Sequence, residues 1–280
     1  MERELTRRPE SLGLHLGKEE EFVRFDWRAR LEHLLLMVSF IALVVTGAPQ
    51  RFYYTPWGEA LVLAMGGIEM VRTIHRLFAA MLILESVFHA VNLAYGLVTN
   101  RRVPAMLPQL KDLKDLVRQL LYYFGRRKKG PDFGRYDYAQ KFEYWGVVWG
   151  TAVMILTGLV MIFPAQFTTL LPGELVPAAK GVHGGEALLA LLVIVTWHLY
   201  GTHLKPSKFP FDATIFTGKI SQSRMLEEHP LEYAQMTGLA AALERTAPSG
   251  RGSGRPPQNP LSRVGEADRP AAPEGEHPSQ

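Results

Sequence analysis

The sequence predicts an all-α integral membrane protein: a transmembrane four-helix bundle with an amphipathic helix at the cytoplasmic interface and a disordered C-terminal tail. Three observations predict it. Apolar residues are gathered into four long blocks, basic residues alternate between dense and sparse along the connections, and five histidines fall inside the blocks with a sixth, His203, at the edge of the last.

A hydrocarbon core of ~30 Å needs about 20 apolar helical residues to cross it. Four windows reach that length: Leu31–Pro49, Met70–Val98, Phe142–Phe163 and Gly181–Leu204. A buried helix of a soluble bundle would show a polar stripe at the helical period, and LLLMVSFIALVV and ALLALLVIV show none. The first thirty residues are polar and charged with no signal-peptide pattern, so the first span is expected to direct insertion itself. The chain has no cysteine, which excludes disulfides, thiolate metal sites, iron–sulfur clusters and covalently attached haem within it. Any redox cofactor must be held by histidine or methionine.

A net charge of +4 raises the question of nucleic acid, and the distribution of charge answers it. Lys and Arg number 7 before the first span, 1 between Gln50 and Met70, 11 from Arg101 to Lys141, 1 between Pro164 and Lys180, and 9 after Leu204. Dense and sparse connections alternate, which is the positive-inside pattern and not a nucleic-acid surface. The expected protein is multi-pass in the inner (cytoplasmic) membrane, with both termini and the long middle loop cytoplasmic.

Residues 1–30 read as a cytoplasmic arm, 31–205 as the four-helix domain, 206–245 as a cytoplasmic extension and 246–280 as a disordered tail rich in Pro, Gly and Ser. The first span ends at Thr46-Gly47-Ala48-Pro49, a helix stop, and Phe52, Tyr53, Tyr54 and Trp57 then mark a headgroup-level anchor. In the middle loop Leu110, Leu113, Val117, Leu120, Leu121 and Phe124 recur at helical spacing between Lys and Asp. That segment is expected to lie on the cytoplasmic membrane face. Arg126-Arg127-Lys128-Lys129 after it is a solvated or lipid-facing run. No internal repeat stands out.

A histidine within a span is rare and functional by default. His33 lies in span one, His75 and His89 in span two, and His183 and His198 in span four. His75 and His89 are 14 residues apart, about 40° short of four helical turns, and His183 and His198 are 15 apart, about 60° past four turns. Each pair lies roughly on one face, separated by about 21–22 Å along the axis. By the same arithmetic His203 falls on the opposite face from His183. Antiparallel topology puts His75 and His183 near the non-cytoplasmic side, and His33, His89 and His198 toward the cytoplasm. Iron of a b-type haem takes two axial imidazoles from facing helices. His75 with His183 is therefore one candidate pair, and the cytoplasmic haem has three candidates for two positions. Small residues such as Gly146, Gly150, Gly158, Gly184 and Gly185 suit a flat macrocycle or close helix packing. Glu85 before His89 and Glu186 after His183 resemble di-iron pairs, but they lie toward opposite ends of the bundle, so they cannot share one cluster. Glu85 is a candidate to orient His89 or carry protons.

From about Arg28 to Tyr233 the chain resembles the cytochrome b (gamma) subunit of membrane-bound formate dehydrogenases, a family that includes the cytochromes b of nickel hydrogenases and thiosulfate reductases. RARLEHLLLMVSFIALVVTG, RTIHRLFAAMLIL, GRYDYAQKFEYWGVVWGTAVMILTGLV and VHGGEALLALLVIVTWHLY carry the resemblance, with TGKISQSRMLEEHPLEY beyond them. It implies that His75 and His183 bind a periplasmic haem b, and His33 and His198 a cytoplasmic one. His89 has no counterpart there and is similar instead to the second-span histidine of respiratory bc-complex cytochromes b, which leaves His33 and His89 as rivals. The resemblance also implies quinone reaction near the loop entering span three, where Asp137 and Gln140 stand and the family has asparagine at the Asp137 position.

The expected function is electron transfer across the membrane between the quinone pool and an extracytoplasmic redox subunit, an iron–sulfur or multihaem protein, with lipid as the other partner. Substrate chemistry would occur elsewhere. Two rivals remain: a non-redox anchor or assembly scaffold whose histidines only bond between helices, and a proton or solute pathway lined by His and Glu.

Overall fold

The computed structural model describes residues 19–99 and 105–238. The tail expected over 246–280 and most of the N-terminal arm lie outside the described residues. The chain divides into two compact units, Met1–Thr237 and Gly238–Gln280, and all that follows concerns the first.

Ten helices occur among the described residues, with a two-stranded ribbon. Four of the helices are long and apolar enough to cross a membrane: α1 (Trp27–Arg51), α3 (Ile68–Val98), α5 (Tyr138–Ile162) and the helix from Leu175 to Leu204, whose α-helical part is α7 (Leu175–Val193). Each expected span is thus present, its helix beginning a few residues before the apolar block. Asp26 caps α1 by accepting the Ala29 amide at 2.9 Å. Pro49 lies inside α1 and does not end it, so the helix runs on to Arg51.

Leu34, Val38, Ile41 and Val45 are exposed at steps of four, three and four along α1. Ser39 and Thr46, on its other side, are buried. Exposing a continuous apolar stripe while burying polar groups is costly in water and is the natural arrangement in lipid. The chain is an integral membrane protein.

α1 packs on α3 and α5 packs on α7, so the bundle is built of two helical hairpins. On one side the connections are α2 (Pro56–Ala64) after α1 and α6 (Pro164–Thr168) after α5. On the other side α4 (Leu110–Tyr123) is the amphipathic helix the sequence predicts. Asp112 in its first turn bonds Lys141 of α5 at 2.9 Å, and that lysine is buried.

Beyond Val193 the last span continues as π-helix over Ile194–His198 and Tyr200–Leu204. There the bonds run from residue i to i+5, as from the Leu199 amide to the Ile194 carbonyl. π turns are rare and occur mostly at functional sites.

The sequence does not predict the small strand pair of β1 (Glu21–Val23) and β2 (Lys219–Ser221). With α8 (Thr214–Thr217), α9 (Gln222–Glu228) and α10 (Pro230–Met236) it forms a polar cap at the end of the bundle where α1 begins. Arg24, 4% exposed, is the hub of that cap. It donates to Glu232, to the Arg135 carbonyl and to His229 Nε2, and it lies over the Tyr136 ring. Arg135 returns a bond of 2.6 Å to the Arg24 carbonyl and another of 2.7 Å to Glu232. The segment before α1, the loop entering α5 and α10 are thereby fastened together.

Candidate haem-binding site

Five of the six histidines of the spans fall into three local arrangements. At one level of the bundle, His75 of α3 faces His183 of α7 with ring centres 6.4 Å apart. At the other level, His33 of α1 faces His198 at 6.2 Å. Metal–imidazole bonds of about 2.0 Å, with the ring centre about 1.1–1.2 Å beyond the nitrogen, set two axial rings about 6.3 Å apart. Both pairs have the separation that one iron between them requires.

Proton bookkeeping supports the fit. Thr46 Oγ1 lies 2.7 Å from the Ala42 carbonyl, which can only accept, so the threonine proton is spent there. Its contact of 2.8 Å to His75 Nδ1 must then be one in which His75 donates. That fixes the neutral tautomer with the lone pair on Nε2, the form that ligates a metal. Thr157 repeats the arrangement in α5: it donates to the Val153 carbonyl at 2.7 Å and accepts from His183 Nδ1 at 2.9 Å. His198 Nδ1 is held by Glu143 at 2.7 Å, again leaving Nε2 for the facing ring.

Helix and imidazole approach closely beside each threonine. A Cβ on Gly47 would stand 3.3 Å from His75 Cε1, a tight contact, and one on Gly158 would stand 3.5 Å from His183 Cε1, an ordinary one. Gly150 is tighter, since its Cβ would meet Glu186 Oε1 at 2.6 Å. Arg51, in the last turn of α1, lies over Gly184 beside His183.

His89 is placed otherwise. Its Nδ1 bonds Glu32 at 2.9 Å and its Nε2 bonds the Tyr144 hydroxyl at 2.8 Å, so neither nitrogen is free, and among the described residues no second imidazole faces it. Asp137 and Gln140 are likewise occupied with each other. Asp137 accepts the Gln140 amide at 2.8 Å and Gln140 Oε1 accepts the Asp137 amide at 3.1 Å, a capping box at the start of α5. His203 stacks on Phe211 and accepts from the Asp212 amide, within electrostatic reach of His33 and His198 but outside their pair.

Seen in space, the two hairpins carry the same signature. Glu32 and Thr46-Gly47 in α1 are separated by the same 14 residues as Glu143 and Thr157-Gly158 in α5. Each glutamate holds one histidine of its own hairpin and each threonine the other. The histidines are 14 apart in α3 and 15 apart in the last span, and His198 sits within the π turn, where the additional residue is taken up. This is an internal repeat that the sequence analysis missed. The shared E-x13-TG spacing was its only signal, hidden because the apolar residues between differ freely.

The profile of the prokaryotic cytochrome b561 family matches residues 24–208, which include both histidine pairs and their partners. The chain belongs to that family. Among similar proteins, the cytochrome b556(Fdn) subunit of nitrate-inducible formate dehydrogenase from Escherichia coli strain K12 is 22% identical over 229 residues. The match covers 82% of this chain and 98% of that subunit. The counterparts from Escherichia coli O157:H7 and Shigella flexneri match to the same extent. A cytochrome b of this family is a membrane protein that binds haem b and transfers electrons.

Proposed function

We propose that this cytochrome carries electrons across the membrane over two b haems, one held by His75 with His183 and the other by His33 with His198. The observation that carries the reading is the pair of imidazole separations, 6.4 and 6.2 Å, each suited to one iron. When bound, the haems supply one-electron oxidation and reduction. The chain's own residues fix the conditions for it. Thr46, Thr157 and Glu143 hold the tautomers, and Gly47 and Gly158 admit the rings. Orienting groups of this kind tune ligand basicity and hence potential.

One haem lies near the non-cytoplasmic side and the other near the cytoplasm, in the orientation that the basic loops favour. A redox partner of iron–sulfur or multihaem type docks on the non-cytoplasmic side. Similarity to a subunit named for formate dehydrogenase supports a place in such a complex, in a bacterial inner membrane. The quinone pool exchanges electrons beside the cytoplasmic pair. Asp137 and Gln140 serve there by anchoring the start of α5, less than two turns before Glu143 and Tyr144.

Reduced-minus-oxidised spectra and pyridine haemochrome on the purified subunit test the reading. Two protohaems per chain are expected, and their oxidation by a short-tail quinone. Absence of haem would return the histidines to a purely structural role.

A further inference from the structure

Of the four paired histidines, His33 alone lacks a hydrogen-bonded support. Thr46, Thr157 and Glu143 hold His75, His183 and His198, whereas neither nitrogen of His33 has such a partner among the described residues. A planar ligand on two axial bonds needs a further point of attachment to fix its rotation about them. Arg30 stands three residues before His33, which puts both on one face of α1. A cavity of about 430 Å³ lies against that face, bounded on its other side by Ile215 and Phe216 of α8. Trp27, Leu31, Leu34 and Met37 complete apolar walls, and Arg30 is the one cationic side chain lining it with His33. The arginine is held firmly. Its Nη2 donates to the Phe216 carbonyl. Gly218, after α8, has φ +79°, and a Cβ there would stand 2.6 Å from the Phe25 carbonyl oxygen and 3.1 Å from Arg30 Cδ, so that turn closes over the arginine stem only as glycine. Yet the bond to Phe216 is its one side-chain hydrogen bond among the described residues, and its Nε is buried without a partner. A buried donor of a charged group is costly to leave unpaired, and it calls for an anion.

We propose that Arg30 binds a propionate of the haem held by His33 and His198. The inference rests on that haem assignment, and it adds the residue that sets the haem's rotation about its axial bonds. A carboxylate is the anion that a guanidinium with free donors takes strongly and with defined geometry. Two observations favour a haem propionate over a lipid phosphate: the free Nε is buried, and Arg30 shares its cavity with an imidazole. Haem is the ligand that brings a carboxylate and an iron to one cavity. Pairing with Arg30 offsets the propionate charge, and an uncompensated negative charge beside the iron would favour its ferric state. Arg28, two residues earlier, lies over the Trp27 ring and lines a different groove, between α1 and α3, so it serves as the control.

The test uses the full haem-loaded chain in lipid nanodiscs, its haem carrying carbon-13 at the propionate carboxyls. Reduced-minus-oxidised infrared spectra, redox titration and haem-transfer rates to apomyoglobin are the readouts. Arg30→Gln should shift a labelled carboxylate band, lower the midpoint potential of the His33–His198 haem and release that haem at least tenfold faster. The His75–His183 haem should be unchanged, which also reports an intact fold. Arg30→Lys keeps the charge and loses the fork, so it should shift the band while holding the potential near that of the unaltered chain. Arg28→Gln should alter neither. Labelled bands and release rate unchanged in both Arg30 variants, with both haems present, would overturn the proposal and spare the haem assignment. Unmoved bands together with loss of a copurifying phospholipid from Arg30→Gln would make Arg30 a lipid site and likewise overturn it. An unaltered chain with no haem at His33–His198 would overturn both.

Discussion

Thr46 accepts from His75 because its own proton is committed to the Ala42 carbonyl. That single relationship dictates which nitrogen of His75 carries the lone pair, and the Thr157–His183 bond makes the second imidazole match it. Each ring keeps its lone pair on Nε2, fixed by hydroxyls on α1 and α5.

Thr46→Val keeps the shape of the side chain and removes the acceptor. Loss of an orienting partner of this type costs about 10–100-fold in metal-site affinity or activity. The expected result is a haem at the His75–His183 pair that dissociates faster and has a shifted midpoint potential, with the other haem unaffected. Thr157→Val should reproduce it. Redox titration and haem-transfer rates to apomyoglobin measure both effects, and an unchanged rate in both variants would remove the tautomer argument.

Gly47→Leu places bulk where even a Cβ would stand 3.3 Å from His75 Cε1. Because that ring is tied to Thr46, it cannot retreat without breaking the bond. The variant should lose the haem of the His75–His183 pair while the His33–His198 pair retains its own, as read from haem per chain.

The polar cap carries the pH dependence. Burial holds the His229 imidazole below its ordinary value, and the neighbouring Arg24 charge lowers it further. Its Nδ1 donates to the Gly134 carbonyl, so Nε2 accepts from Arg24, and a proton on Nε2 would abolish that bond. With the folded value lowered, the stabilising contribution is complete above the unfolded value of about 6.5 and declines as the pH falls below it. Protection of the amides at residues 133–136, taken relative to their intrinsic exchange at each pH, should therefore fall as the pH drops from 7 to 5, and His229→Gln should flatten that dependence. Asp212 responds only in stronger acid: burial raises its carboxyl, but bonds from Arg224 and Thr214 outweigh this and hold it well below the carboxylate range.

Orientation should follow the basic loops. A reporter enzyme fused after Gly173 should be active outside the cytoplasm, and one fused after Lys129 inside. The reverse activities would exchange the partners assigned to the two haems.

Much of this was legible in the residues, and the illegible part has a physical cause. Span identity is a matter of length and apolarity, so all four spans were readable, as was α4 from its leucine spacing. The pairing of His75 with His183 followed from helical phase and depth. His33 and His89 could not be separated, because both lie at a similar depth and phase arithmetic ignores what α5 contributes. Tyr144 and Glu32 occupy the two nitrogens of His89, and those contacts exist only once α1, α3 and α5 are assembled. Asp137 and Gln140 were read as quinone groups or a helix cap, and the structure finds them bonded to each other. The π turn at His198 likewise left only a one-residue difference in spacing as its trace.

The most direct test of the central claim is haem content and redox titration across five single variants, His33→Ala, His75→Ala, His89→Gln, His183→Ala and His198→Ala. The account predicts three outcomes: His75→Ala and His183→Ala lose the same haem, His33→Ala and His198→Ala lose the other, and His89→Gln keeps both. It is contradicted if His75→Ala and His183→Ala perturb different haems, or if His89→Gln loses a haem that His33→Ala retains.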